Sequence, residues 1–346
     1  MKKWFEETDA IHSNLVYSRV RLTRNWAEYP FPARMSDARS REMLDRMKEK
    51  LEGLATEDGR VFTQLDFSHI TNLEQRALAE RRAFNPSQAE QKKPMSLLYL
   101  PREDMSVLLN GSDHIRIQAL STGLALNENL RKAWDLDDKI NEKLEYAFDE
   151  KYGYLTSYPT NVGTGMRASV IVHLPGLSRG KKFPTLINEM GRFGISVKGL
   201  FREGRDNFGS FFEISNQKTM GQTEKDMIEL VSKIALQLSE QEKQVHSLTL
   251  DNHRAEKEDE IYKSYGVLRY ARRLTQKEAM NYLSALMEGQ EDRIISFSEP
   301  CSLFAMILGI QTANLLRQAD RPMDREELDG VRAEYIRKKL PEILQP

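Results

Sequence analysis

Arg19 and Arg21 stand two residues apart in Ser18-Arg19-Val20-Arg21-Leu22, so in an extended segment both guanidinium groups leave the same face. Arg116 shares the polar positions of a second alternating run, His114-Ile115-Arg116-Ile117, with His114. Arg167 ends the glycine-bearing stretch Pro159-Thr160-Asn161-Val162-Gly163-Thr164-Gly165-Met166-Arg167-Ala168-Ser169, whose glycines permit close backbone approach to a ligand. A fourth polar segment runs from Lys198-Gly199 to Gly204-Arg205-Asp206. Cations brought together from separate strands suit a polyphosphate, because each guanidinium offers a planar fork of donors to phosphate oxygens. Isolated surface arginines on strand edges are the other reading, and spacing alone leaves both open. Other phosphate and hydrolase signatures are absent: there is no Gly-x-x-x-x-Gly-Lys-Ser/Thr loop, no His-Arg-Asp with Asp-Phe-Gly, no Gly-x-Ser-x-Gly elbow and no His-Glu-x-x-His helix.

The elements that must position these arginines are strands and long helices in mixture. Residues 34–51 predict a helix with Ser36 as N-cap and Met43, Leu44, Met47 and Leu51 at helical spacing. Ser96–Leu100, Met105–Leu109 and His114–Leu120 predict strands, with Asn110-Gly111 as a hairpin signal. Residues 124–150 return to helix. Ser169–Leu174, Ile195–Phe201 and Phe211–Ser215 predict extended segments, Phe183–Phe193 a helix, and Thr223 starts another helix reaching about Gln244. The charged stretch from His253 to Asp259 predicts a linker, after which the pattern is helical. The expected division is therefore 1–250 and 255–346.

At 346 residues the chain has room for roughly two domains of about 150 residues. A formal net charge of −1 argues against a general nucleic-acid or acidic-membrane binder, so the arginines count by placement and not by number. The single cysteine, Cys301 in an apolar run, excludes an internal disulfide framework and a cysteine-based zinc cluster, and is expected as a buried thiol. No metal-ligand set is expected. Met1-Lys2-Lys3-Trp4-Phe5-Glu6-Glu7 lacks a signal-peptide core and no run approaches the ~18 apolar residues of a span, so a cytoplasmic, soluble protein is expected.

Ser18–Arg21, Asp113-His114-Ile115-Arg116 and Pro159–Ser169 resemble the signatures of ATP:guanidino phosphotransferases. Tyr146–Asp149 leading into Gly153–Thr156, Ile214-Ser215-Asn216-Gln217 and Ile261–Leu268 resemble the bacterial protein arginine kinases among them. The resemblance implies an α+β fold, an antiparallel sheet flanked by helices as in the guanidino-kinase catalytic domain, followed by a C-terminal helical dimerisation domain. It implies ATP with Mg²⁺, with Arg19, Arg21, Arg116 and Arg167 on the phosphates. Ser18, Val20, Leu22, Ala168, Ser169, Val170 and Ile171 complete the matching nucleotide segments, and Glu203 stands on the loop that closes over substrate.

Departures from the pattern bear on catalysis. Where the family has two glutamates between Asn110 and Asp113, this chain has Gly111 and Ser112; the second of those glutamates orients and deprotonates the acceptor guanidinium. The family's active-site cysteine aligns with Tyr158, an ATP-binding histidine with Arg82, a phosphate-binding arginine with Lys198, and a loop glycine with Arg202. The family's phosphoarginine-sensing Arg-Asp-x-x-Arg aligns with Leu328-Asp329-Gly330-Val331-Arg332, keeping Asp329 and Arg332. Two functions remain. One is a weakened or pseudokinase-like protein arginine kinase with a regulatory or adaptor role in protein quality control. It would act on protein substrates or phosphoarginine-bearing proteins, beside an active paralogue or a Clp-type unfoldase. The other is a fully active kinase, with Glu203 or Asp113 holding the guanidinium. A small-molecule guanidino kinase is disfavoured because the chain opens almost directly on the Ser18–Arg21 motif. A homodimer is expected through Ile261, Tyr265, Val267, Leu268, Leu283 and Leu286, with no nucleic acid and no membrane as partner.

Overall fold

The structure, a computed structural model, describes residues 1–8, 13–203, 206–319 and 321–344, with the backbone alone for Glu203. Strands β1 (Leu15–Arg24), β2 (Thr63–Asp66), β3 (Ser96–Tyr99), β4 (Met105–Leu109) and β5 (Ile115–Thr122) come first. A short ribbon, β6 (Phe148–Asp149) with β7 (Gly153–Tyr154), precedes β8 (Met166–His173) and β9 (Ile195–Gly199). A second ribbon, β10 (Arg202–Glu203) with β11 (Asp206–Asn207), leads into β12 (Phe211–Asn216). Eight of these form one antiparallel sheet in the order β2-β3-β4-β5-β1-β8-β12-β9.

Helices α1 (Asp37–Lys50), α2 (Asn72–Glu80), α3 (Leu126–Asn141), α4 (Pro175–Arg179) and α5 (Phe183–Arg192) lie among the strands. The C-terminal part is helical: α6 (Glu224–Tyr270), α7 (Gln276–Glu291), α8 (Leu303–Gly309), α9 (Thr312–Ala319) and α10 (Arg325–Lys339). Ser36 caps α1 as expected, its Oγ accepting from the Arg39 amide, and Met43, Leu44 and Met47 form the buried face.

Strand alternation gives the sheet two unlike faces. Val20, Leu22, Ile115, Ile117, Ala168, Val170 and Ile214 pack against α1, α3 and α6 in the main core. On the other face, Tyr17, Leu120, Ile171 and Phe211 join Trp4, Phe5 and the C-terminal helices in a second core, while Leu97 and Leu108 join Phe67 and Phe84 in a third. Between these apolar patches the second face is polar, and the arginines stand there.

Three local expectations are corrected. The helix expected over 124–150 stops at Asn141, because the Asp149 carboxylate accepts from the Lys151 and Tyr152 amides and turns the chain into the β6–β7 ribbon. The hairpin at Asn110-Gly111 forms with a longer connection. Asn110 takes φ 57°, its amide donates to His114 O at 2.7 Å, and Asp113 and His114 fold inward. The charged stretch 253–259 is not a loop: α6 kinks at His253 (φ −140°, ψ 34°), the first residue of the expected linker, and is helical again from the next residue. Arg254–Glu258 and Lys263–Asp259 pairs one turn apart sustain the helix there. Of the apolar residues expected to pair two chains, Ile261, Leu268, Leu283 and Leu286 are buried in the chain's own second core; Val267 stays accessible, beside Tyr262 and Tyr270.

Candidate active site: an arginine field on the polar face of the sheet

The sheet register sets the site. Arg21 lies opposite Arg167 on β8 and Gln118 on β5, Thr23 opposite Arg116, and Arg19 opposite Ser169. Four arginines from three strands thus share one polar surface. Burial and mutual repulsion lower three of the four, whereas Arg19, opposed by burial but paired with Glu213, is raised. Burial first, then Arg19, Arg116 and Arg167, drives the Arg21 pKa well below the ordinary guanidinium value, with Glu213 opposing. Arg116 and Arg167 are lowered too, again by burial first and then by neighbouring arginines.

Glu213 on β12 holds this field together. Its Oε1 accepts from Arg19 Nη2 at 2.6 Å and lies 3.6 Å from Arg21 Nη2. Burial would raise its carboxyl, but the two guanidinium groups outweigh that and hold it at about 2. Sequence reasoning passed over Glu213 although it adjoins the matched Ile214–Gln217 run. The period-two alternation of Phe211–Ser215, which turns Phe212 and Ile214 to the core, was the signal that places it with the arginines.

Arg82 comes over the same face with φ 70°. Its carbonyl accepts from Gln118 Nε2 at 2.6 Å, and its guanidinium lies 5.0 Å over the Phe201 ring. The Nε–H groups of Arg19, Arg21 and Arg82 are buried and have no partner among the described residues. Each such group costs about 1–3 kcal/mol unless something accepts from it. The oxygens of a polyphosphate are acceptors of the right charge, so the donor set fits a nucleotide's phosphates.

The glycine-bearing loop approaches this field from one end. A Cβ on Gly163 would stand 2.6 Å from Thr219 O, and one on Gly165 would stand 2.5 Å from Thr23 O, both at positive φ. Only glycine fits there, and the tight path delivers Arg167 to the start of β8. Tyr158, 53% exposed, is near enough to Arg116 to influence it electrostatically. Asp113 is buried; its Oδ1 accepts from Asn25 Nδ2 at 2.8 Å and from the Ser157 amide at 2.6 Å, whereas Oδ2 has no partner among the described residues.

At the two departed positions the chemistry is uncharged. Ser112 N donates to Gln88 Oε1 at 2.9 Å, and Gln88 Nε2 donates to Ser112 Oγ at 2.9 Å. Lys93 Nζ donates to Gly111 O, placing a cation beside the turn.

Other expected residues lie elsewhere. Val20, Leu22, Ala168 and Val170 point into the helix-covered core, Ile171 into the second core, and Ser18 Oγ accepts from the Ala125 amide at 2.9 Å, ahead of α3. Strand alternation turns Ser18, Val20, Leu22, Ala168 and Val170 away from the arginines, whereas Ile171 shares their face but is covered by the second core. Lys198 is exposed and in register with Glu213. The side chain of Glu203, and Gly204 and Arg205, fall outside the described residues. Asp329 and Arg332 are buried and pair with each other at 2.5 Å. Arg332 also donates to Leu274 O at 2.9 Å and Ile310 O at 3.2 Å, so its guanidinium ties α10 to the loops before α7 and α9.

Two further features are separate from the arginine field. A cleft of about 1060 Å³ between α2, α8 and α10 has none of the site arginines in its lining, and its Lys3 and Arg81 are already paired with Glu103. His246, Glu288 and Asp292 bring their ligand atoms within 4.8 Å of one another. Both His246 nitrogens there bond carboxylates and Lys257 pairs with Glu288 at 2.8 Å, which makes this an ion-pair cluster.

Comparison with known proteins agrees with the geometry. Residues 42–245 match the family model described as ATP:guanido phosphotransferase, C-terminal catalytic domain, and residues 254–346 match the Protein-arginine kinase McsB C-terminal domain. Protein-arginine kinase of Bacillus cereus (strain AH187) is 37% identical over 333 residues, spanning 96% of this chain and 94% of that one; a Bacillus anthracis protein-arginine kinase gives the same figures. Among solved structures, a duplicated taurocyamine kinase from Schistosoma mansoni has TM-score 0.57 at 22% identity over 66% of this chain and 32% of that chain. Lombricine kinase has TM-score 0.57 at 21% identity over 67% of each chain, so both speak to the fold. With 37% identity along nearly its whole length, the chain belongs to the protein-arginine kinase family of ATP:guanidino phosphotransferases.

Proposed function

We propose that this chain binds Mg·ATP through Arg19, Arg21, Arg82, Arg116 and Arg167 and transfers phosphate to protein arginine weakly or not at all. On this reading it acts in protein quality control as a recognition or adaptor module. The observation that carries the second half is the Ser112–Gln88 pair. Phosphoryl transfer to a guanidinium requires that a group with solution pKa about 12.5–13.8 be oriented and give up a proton. Ser112 offers a hydroxyl already bonded to an amide, and Lys93 adds a repelling positive charge nearby. Losing a positioned base costs about 10²- to 10⁴-fold.

The first half is supported by three buried guanidinium N–H groups without acceptors among the described residues. Positioning and charge stabilisation provide most of phosphoryl-transfer catalysis, so a field of this kind retains nucleotide affinity even where transfer is slow. Asp113 Oδ2 is the buried carboxylate oxygen left to meet an acceptor, which supports the alternative of residual activity. Titration with Mg·ATP together with a phosphoarginine assay on an unfolded protein tests both halves. Binding without transfer is the expected result. Transfer at an ordinary kinase rate of about 1–100 per second would overturn the weakened reading, and absence of nucleotide binding would overturn the site.

A further inference from the structure

Arg24 ends the strand that carries Arg19 and Arg21, yet it points the other way and is 1% exposed. Its Nε and Nη2 both donate to Asp137 Oδ2 on α3, at 3.1 and 2.7 Å. Nη1 donates to Thr164 O at 2.9 Å and Thr23 O at 3.0 Å, and the guanidinium plane lies 3.5 Å from the Tyr154 ring centre. Every side of this buried cation is thus in use, and two of its contacts are to the glycine-bearing loop or the ribbon that pins it.

The loop's own bonds converge on the same point. Tyr154 and Gly163 exchange backbone hydrogen bonds at 2.8 and 3.4 Å, and Thr23 N donates to Gly165 O at 2.9 Å. A Cβ on Gly165 would meet Arg24 Nη1 at 2.6 Å, so the loop backbone rests directly on the guanidinium. Two residues beyond Gly165 comes Arg167, opposite Arg21 in the phosphate field.

We infer that Arg24, braced by Asp137 and Tyr154, is a positioning residue that sets the path of the Gly163–Gly165 loop and thereby aims Arg167 at the nucleotide phosphates. This rests on the phosphate-site reading above. Arg24 itself is turned to the opposite face of β1 from Arg19 and Arg21, and its donors are taken by Asp137, Thr23 and Thr164. A fixed fork is required because three bond directions must be held at once, and the single ammonium of a lysine cannot span Asp137 Oδ2 and Thr164 O together. Small displacements of such a group are costly; about 1 Å can reduce productive binding or turnover by one to two orders of magnitude.

The test is the full chain with Arg24→Lys, which keeps the charge but loses the fork, and with Gly165→Ala as a second variant that pushes the loop off the clamp while keeping the guanidinium. Amide hydrogen exchange at Tyr154, Gly163 and Thr164, and Mg·ATP affinity, are read against exchange in α7 as a monitor of global stability. Loop exchange should rise and Mg·ATP affinity fall, each by about tenfold, with α7 unchanged. A merely structural role would raise exchange everywhere in step with lost stability and leave affinity intact at temperatures where the variants are folded. Loop exchange and affinity within twofold of the parent overturn the inference. Loosened loop amides with unchanged affinity overturn it as well, while leaving the phosphate site standing. If the parent itself binds no Mg·ATP, the phosphate-site reading fails and takes this inference with it, a failure visible before any variant is made.

Discussion

Replacing Glu213 by Gln removes the anion that separates Arg19 from Arg21 and leaves the shape of the side chain. A carboxyl held at about 2, where 4.5 is ordinary, contributes about 3 kcal/mol to the folded state at neutral pH, at about 1.4 kcal/mol per pH unit. Breaking a buried ion pair by removing one partner costs about 3–5 kcal/mol, so the two estimates agree. About a quarter of the Glu213 side chain remains accessible, which places the expectation at the lower end, about 2–3 kcal/mol. The sign with pH follows from a depressed carboxyl. The contribution is complete above about pH 4.5 and is lost as pH falls toward 2, so parent and variant should converge in stability across that window. Binding should move the opposite way. One negative charge roughly 8 Å from a bound phosphate, at an effective dielectric of about 20–40, repels it by about 1–2 kcal/mol. Glu213→Gln should therefore bind tripolyphosphate about tenfold more tightly while unfolding at lower urea. Urea melts with and without tripolyphosphate, at pH 7 and pH 4, read both effects. A variant as stable as the parent and no tighter for tripolyphosphate would refute the clamp.

Ser112→Glu should raise arginine phosphorylation of an unfolded protein, measured as acid-labile phosphate. It is the better first step than Gly111→Glu, because a Cβ at Gly111 would meet Leu108 Cδ2 at 2.9 Å and Gln88 Oε1 at 3.0 Å. His246, opposed by burial but raised to about 10 by Asp292, Glu242 and Glu288, stabilises the fold fully below about pH 6.5 and loses that contribution as pH rises through 10. The urea midpoint should fall over that range in the parent and change less in His246→Gln. If two copies pair through the accessible face of α6, Val267→Asp with Tyr270→Asp should halve the mass seen by light scattering at tens of micromolar. An unchanged dimer would place the interface elsewhere.

Much of the site was legible because period two in a strand is a strong constraint. Arg19 with Arg21, Arg116 and Arg167 could be assigned to polar strand positions before any pairing was known, and the register then joined them. The same rule explains why Val20, Leu22, Ala168 and Val170 belong to the matched segments yet face the core. What stayed illegible depends on tertiary contact. Nothing local tells that Asp113 Oδ1 ties Asn25 to Ser157, or that Gln88 would meet Ser112, since these bonds join residues 24 to 88 positions apart. The end of α3 was misjudged because apolar residues at Leu144 and Phe148 continue the helical spacing, while an Asp149 turn and Gly153 at φ 77° decide the backbone. The linker expected at 253–259 was inferred from charge, which a solvated helix carries as readily as a loop, and only its first residue, His253, leaves the helical conformation.

Helix α6 runs 47 residues in two segments that meet at the His253 kink. Its first half places Met227, Val231 and Leu238 in the core beneath the sheet, and its second half places Ile261 and Leu268 among the C-terminal helices. A truncation near residue 250 would therefore not release a finished enzyme half. It would cut through a helix and strip the cover from Tyr17, Leu120, Ile171 and Phe211, laying bare an oily end of the sheet next to the arginines.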